Sequence, residues 1–198
     1  MRTLIFATNN QHKVDEIKEV ISSNYKIISL KEAGIDIDIP EPFDTLDENA
    51  ITKAETIYEL IGQDCFSEDT GLHVNALNGE PGVKSARYAG EGKNFSDNID
   101  KLLLKLKGLT NREAVFKAVI CLILNGEKFL FEGECSGTIA GERTGDGGFG
   151  YDAVFIPDGY KETFAQMNAI EKIKLSHRTK AVQKLLAHLS THGNFGFI

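Results

Sequence analysis

In Ala114–Ala140, AVFKAVICLILNGEKFLFEGECSGTIA, two long β-prone runs flank Asn125-Gly126. Asn-Gly accepts positive φ at both positions, as a two-residue type I′ turn requires. The stretch therefore predicts a long antiparallel hairpin. In that register Cys121 faces Leu130 and not Cys135. Working outward, TLIFAT (Thr3–Thr8) reads as a buried strand, and Val14, Ile17, Val20 and Ile21 follow at helical spacing. YKIISL (Tyr25–Leu30) and IDIDI (Ile35–Ile39) read as short strands. A second helix runs from about Asp47, with Ala50, Ala54, Ile57, Tyr58 and Ile61 on one face. HVNAL (His73–Leu77) alternates like a strand. A third helix carries Phe95, Ile99, Leu102, Leu103 and Leu106 on one face and stops at Gly108. The last helix holds Ala181, Val182, Leu185, Leu186 and Leu189. The sum is an α/β fold with a mixed sheet and a long antiparallel hairpin. No regular βαβαβ succession supports a plain doubly wound fold.

A chain of 198 residues, 41% hydrophobic, is long enough for one well-packed domain spanning residues 1–198, with room for two lobes. No apolar run approaches the ~18 residues of a membrane span. The opening MRTLIFATNN is too short in apolar length for a signal peptide, so a cytoplasmic protein with no membrane partner is expected. Cys65, Cys121 and Cys135 are odd in number and lack metal spacing, which predicts buried free thiols. A net charge of −7 argues against a nucleic-acid polymer as partner. A small anion could still bind at locally clustered cations.

Four stretches concentrate polar groups at element ends. ATNNQHK (Ala7–Lys13) leaves the first strand and enters the first helix, so Thr8, Asn10 and Lys13 converge with backbone N–H groups on an anion-binding helix start. The plainer reading is a polar turn with an Asn cap. IPEPFDTLDENAITKA (Ile39–Ala54) places acidic residues before the second helix and Lys53 at the edge of its apolar stripe, either snorkelling or reaching a phosphate. CFSEDTGL (Cys65–Leu72) ends a short apolar run in Glu68-Asp69-Thr70-Gly71. Adjacent carboxylates there suit Mg²⁺, which takes one or two carboxylates plus phosphate oxygens, or they form an ordinary acidic turn. EKIKLSHRTKA (Glu171–Ala181) sets Lys172, Ser176, His177 and Arg178 before the last helix, with Ser176 as its cap.

TGDGGFGYDAVF (Thr144–Phe155) packs four glycines into six residues beside Phe149 and Asp152. Gly145, Gly147 and Gly150 satisfy G-x-G-x-x-G, but the strand-like YDAVFI follows where a dinucleotide fold needs a helix. That reading is rejected.

Taken together, TNNQHK, ENAITKA, EDTGL, PGVKSARYAG, GGFGYDAVF and LSHR closely resemble, in order and over nearly the whole chain, the inosine triphosphate pyrophosphatase family. Thr70 stands where serine is frequent in that family, and either supplies a hydroxyl. AQMNAIEK (Ala165–Lys172) departs from the family's proline-containing version but keeps Lys172. The resemblance implies two lobes around a central nucleotide cleft, a homodimer, and Mg²⁺-dependent hydrolysis of ITP, dITP and XTP to the monophosphate and pyrophosphate. Such hydrolysis keeps these nucleotides out of nucleic acids. It implies Glu41 and Asp69 as metal ligands. Asp69 would also activate the attacking water, with Glu68 beside it. Thr8, Asn9, Asn10, Lys13, Lys53 and Thr70 would hold the triphosphate. Phe149 would stack on the base, with Gly150 and Tyr151 beside it and Asp152 and Lys172 positioning the nucleoside. His177 and Arg178 would donate to the 6-oxo group. A nucleotide sensor that binds without hydrolysis is the rival from another class. A Nudix hydrolase would need an R-E-x-x-E-E helix, which is absent.

Overall fold

The computed structural model describes residues 2–21 and 25–192. The predicted hairpin is present as β5 (Glu113–Leu124) and β6 (Glu127–Ile139), joined by Asn125 at φ 52° and Gly126 at φ 85°. The remaining strands are β1 (Arg2–Phe6), β2 (Tyr25–Ser29), β3 (Cys65–Val74), β4 (Pro81–Gly82) and β7 (Phe155–Pro157). Their order is β2-β1-β3-β5-β6-β7, with β4 paired to β3. β1 runs parallel to β2 and β3, whereas β3–β4 and β6–β7 are antiparallel. The fold is mixed α/β.

The chain forms two compact units. The first comprises Met1–Asp69, Ala118–Gly133 and Arg178–Ile198. Its helices are α1 (Gln11–Val20), α2 (Leu46–Ile61) and α5 (His177–His192), the last entering from its second residue. Leu4, Phe6, Val14, Ile17, Phe66, Ile120, Leu122, Val182 and Leu185 share its core. Phe6 and Phe66, neighbours across the β1–β3 register, stack at 4.5 Å. Each such side chain contributes about 1.5–3 kcal/mol when fully buried. α2 starts in a capping box: Glu48 N–H donates to Thr45 Oγ1, and Thr45 Oγ1 donates to Glu48 Oε2. It ends at Gly62 in the left-handed region.

The second unit comprises Thr70–Lys117 and Glu134–His177. It holds α3 (Phe95–Lys105), α4 (Ala169–Leu175) and a core that includes Leu72, Val74, Leu102, Leu106, Phe116, Phe155 and Phe164. Arg112 ties its loops, donating to the carbonyls of Leu106, Ile139 and Ala140.

The structure departs from the sequence-based expectation at three elements. Ile35–Ile39 forms no strand. Its aspartates are exposed and Ile39 is buried, but Ile35 N–H donates back to Leu30 and the Ile37 carbonyl accepts from the Asn9 side chain. The period-two pattern records alternating burial without a neighbouring ladder. His73-Val74 closes β3, but Asn75–Leu77 turns into a 3₁₀ segment, followed by Asn78 and Gly79 at positive φ. α4 is additional to the helices expected from periodicity, although Asn168 and Glu171 form a readable Asn-x-x-Glu capping box. The three cysteines are free and buried, and burial pushes the Cys65 and Cys121 thiols up to about 12.

The turn after β2 is held by Glu32. Its carboxylate accepts from Lys18 Nζ, Ser29 N–H and Ser29 Oγ, and these bonds lower its pKa from 4.5 to about 2. The folded-state pKa lies below the unfolded one, so the stabilisation is present above pH 4.5 and lost as pH falls towards 2. Because the side chain is half exposed, screening limits its worth to about 0.5–1 kcal/mol. Glu32→Gln is expected to lose that amount at pH 7 and to flatten the acid limb of the stability curve between pH 4.5 and 2, as read by urea denaturation across pH.

Candidate functional site

In the first unit, β1 ends at Phe6 and the chain turns through Thr8–Asn10 into α1. Asn10 is the α1 cap, its Oδ1 accepting from Lys13 N–H, while its own N–H donates to Thr8 Oγ1. Asn10 is thus the helix cap, and the loop presents Thr8 and Asn9 to a cavity of about 430 Å³ that Ser29 and Lys31 also line. Lys13, one turn into α1, reaches β3 and pairs with Glu68 at 2.9 Å.

β3 delivers Glu68 and Asp69 from its interior, so the acidic pair does not close the strand as the sequence suggested. Neighbours on a strand point to opposite faces, and each of the two carboxylates has its own cations. Glu68, fully buried, pairs with Lys13 and with Arg178 Nη2 at 3.0 Å. Asp69, 5% exposed, accepts from Lys53 Nζ at 2.7 Å. Lys53 also donates to Glu41 Oε1 at 2.8 Å and to the Glu68 carbonyl at 2.9 Å. α2 thus sends a buried ammonium to two carboxylates at once, which is more than snorkelling.

Burial pushes the Asp69 carboxyl above the usual range, against the pull of Lys53 and Lys13, and the nearby Glu41 charge adds to the rise. Burial alone would lower the Lys53 pKa, but Asp69 and Glu41 outweigh it and the net direction is up. Arg178, at the start of α5, follows the same logic: burial alone would lower it, but Glu68 and Glu16 outweigh that and raise it. Its Nη1 donates to Glu16 of α1. Glu16 escaped the sequence reading, since nothing in the pattern links it to a partner 162 positions away.

The second unit carries the remaining expected residues. Asp152 Oδ2 accepts from Phe149 N–H at 2.9 Å and Lys172 Nζ at 2.6 Å. The Lys172 ammonium also lies 5.1 Å from the Phe149 ring centroid, a cation–π distance. His177 is buried and stacks on Phe116 at 4.7 Å and 8°. Tyr151 is 4% exposed and its hydroxyl donates to the Ser85 carbonyl, so it braces the loop from the core.

The glycines of Thr144–Phe155 answer to protein atoms. A Cβ on Gly145 or Gly147 would sit 2.6 or 2.8 Å from the Ala165 backbone, and one on Gly148, at φ +70°, 2.1 Å from Asp152 Oδ2. Within this run only Gly150, at φ +62°, has open space around it. These small residues let the loop lie against its neighbour and against the carboxylate that orients Phe149.

Glu41 and Asp69 meet at one cation position, the Lys53 ammonium. They offer hard oxygen donors, and among the described residues no group of three or more His, Cys, Asp or Glu is arranged for a metal. Two carboxylates fit Mg²⁺, which completes its shell with phosphate and water oxygens, better than a metal needing an all-protein cage.

No helix among the described residues is long and apolar enough to cross a membrane. The Ham1 family model matches residues 4–188. The dITP/XTP pyrophosphatase of Flavobacterium psychrophilum is 50% identical over 183 residues, covering 92% of this chain and 96% of that protein. The dITP/XTP pyrophosphatase of Porphyromonas gingivalis is 50% identical over 186 residues, covering 93% and 96%. Among solved structures, the Staphylococcus aureus Ham1 protein superposes with a TM-score of 0.87 at 40% identity, covering 96% of this chain and 99% of that one. A HAM1 protein from Coxiella burnetii gives 0.88 at 34% identity, covering 96% and 100%. Matched along nearly its whole length in sequence and in fold, the chain belongs to the Ham1 family.

Proposed function

We propose that this protein hydrolyses non-standard purine nucleoside triphosphates, ITP, dITP and XTP, to the monophosphate and pyrophosphate, and so keeps them out of nucleic acids. The observation that carries the reading is the Glu41–Lys53–Asp69 cluster, in which α2 sends Lys53 to Asp69 of β3 and to Glu41, a buried charge centre beside a cation-bearing helix start. The relatives' shared name, dITP/XTP pyrophosphatase, supports the substrate class. Mg²⁺ held by Glu41 and Asp69 would supply charge neutralisation for the triphosphate. Asp69 orients the attacking water and accepts its proton. Lys13, Thr8, Asn9, Asn10 and Thr70 hold phosphate oxygens. Lys53 joins them by exchanging a carboxylate for a phosphate. The nucleoside end falls to other residues: Phe149 offers the ring on which a purine stacks, and Asp152 and Lys172 fix that ring. His177 and Arg178 would favour a 6-oxo group over an amine. Arg178 does so only by yielding one of its two carboxylate partners. The protein acts as a cytoplasmic homodimer, and light scattering tests the assembly.

The test of the activity is a substrate panel of ITP, dITP, XTP, GTP, ATP and dUTP with Mg²⁺ and product identification. Pyrophosphate release from the first three, well above the rest, is expected. Orthophosphate release, or binding without hydrolysis, overturns the proposal, the latter in favour of a sensor.

A further inference from the structure

We infer that Phe95 is a second aromatic wall for the purine base, opposite the role given to Phe149, on whose reading as the base platform this inference rests. Helical periodicity sets Phe95 on the apolar stripe of α3 with Ile99, Leu102 and Leu106. Those three are buried, but Phe95 is 37% exposed. It is the first residue of α3, after the cap Asn94, whose Oδ1 accepts from Ser96 and Asp97 N–H. Its ring lies 6.1 Å from that of Phe149 between centroids, tilted by 48°. That geometry lies within the range of aromatic pairing, but it is a wedge and not a closed stack.

Two features make the pair more than a chance surface contact. Arg143, just before the glycine-rich loop, clasps the start of α3: Nη1 donates to Ser96 Oγ at 2.8 Å, Nη2 to the Ser96 carbonyl at 2.6 Å, and Asp100 pairs with the guanidinium at 2.6 Å. The segments bearing the two rings are thus tied together within one unit. Phe149 is itself fixed, through Asp152 at its backbone and Lys172 near its ring, whereas Phe95 keeps exposed surface. A braced ring beside a partly exposed one offers two apolar faces to a flat heteroaromatic ligand. Stacking reads the faces of a base and not its edges, so Phe95 adds affinity for purines without ranking them.

The chain has no tryptophan, so Phe95→Trp introduces a sole indole reporter. Its fluorescence is expected to be quenched by IMP with Mg²⁺ and unchanged by inorganic pyrophosphate, which has no base. Phe95→Ala is expected to raise KM for ITP and XTP alike by roughly three- to tenfold, with kcat within about twofold. Phe149→Ala, measured beside it, separates the two levels of inference. If Phe149→Ala raises KM but Phe95→Ala does not, and the indole of the Phe95→Trp variant stays silent towards IMP, the second wall is refuted and the platform stands. If neither substitution raises KM, the platform reading fails and the wall with it. A Phe95→Ala variant that loses kcat and thermal stability with KM unchanged would make Phe95 structural and overturn the inference.

Discussion

Asp69→Asn is expected to fold, bind nucleotide and lose turnover by roughly 10²–10⁴-fold, the contribution typical of a positioned proton acceptor. The amide matches the carboxylate in size, so the packing around a residue 5% exposed survives. Lys53 loses one anionic partner but keeps Glu41 and the Glu68 carbonyl, so the ammonium is not stranded. What disappears is the negative charge at the position shared with Glu41, and with it both proton acceptance and half of the expected Mg²⁺ ligation. The loss therefore falls on kcat more than on nucleotide affinity. The measurements are kcat and KM for ITP with Mg²⁺, nucleotide binding by calorimetry, and circular dichroism. Turnover near that of the wild type would remove Asp69 from the chemistry.

Asp69 also shows how far the sequence could be read. EDTGL marks two adjacent carboxylates at the end of an apolar run, whereas β3 continues through them to Val74. Local pattern finds the elements that local physics determines: the Asn-Gly turn and the apolar stripes of α2 and α5. It also marks the positions that hold the charge clusters, because polar residues crowded at element ends have few structural uses. Three-dimensional pairing is less legible. Nothing in the spacing of Glu16, Glu68 and Arg178 says that one guanidinium joins a helix to a strand. Nor does the spacing of Glu41, Lys53 and Asp69 reveal a shared ammonium. Burial of an extended segment without a ladder, as at Ile35–Ile39, obeys the same period-two rule as a paired strand, so the pattern cannot tell them apart. The packing reason for the glycine-rich loop is not legible either. Gly145, Gly147 and Gly148 are required by contacts with Ala165 and Asp152, residues that the sequence does not mark as neighbours.

Arg178→Ala is expected to cost about 3–5 kcal/mol of stability, the usual penalty for removing one partner of a buried ion pair. Arg178 is 3% exposed and serves Glu16 and Glu68 together. Without it Glu16 loses its guanidinium partner and Glu68 leans on Lys13. Typical domains are stable by about 5–15 kcal/mol, so this is a large fraction of the whole. Arg178→Lys should recover little, because a single ammonium cannot span two carboxylates as a planar fork does. Activity follows from the same network. Lys13 shares Glu68 with Arg178, so loss of the arginine lets Glu68 recruit Lys13 more tightly and withdraw it from phosphate. Since ITP, XTP and ATP carry the same triphosphate, withdrawal of Lys13 should lower kcat/KM for all three, and ITP and XTP should fall further because they also lose the donor proposed for their 6-oxo group. A residue with only the structural role would lower all three equally, and a pure base reader's loss would spare ATP. Urea denaturation of both variants, with kcat/KM for each nucleotide at a temperature where the variant is still folded, distinguishes the two roles. Unchanged stability with a fall in the ITP-to-ATP ratio alone would show that the guanidinium acts on the base and that its contacts with Glu16 and Glu68 are dispensable.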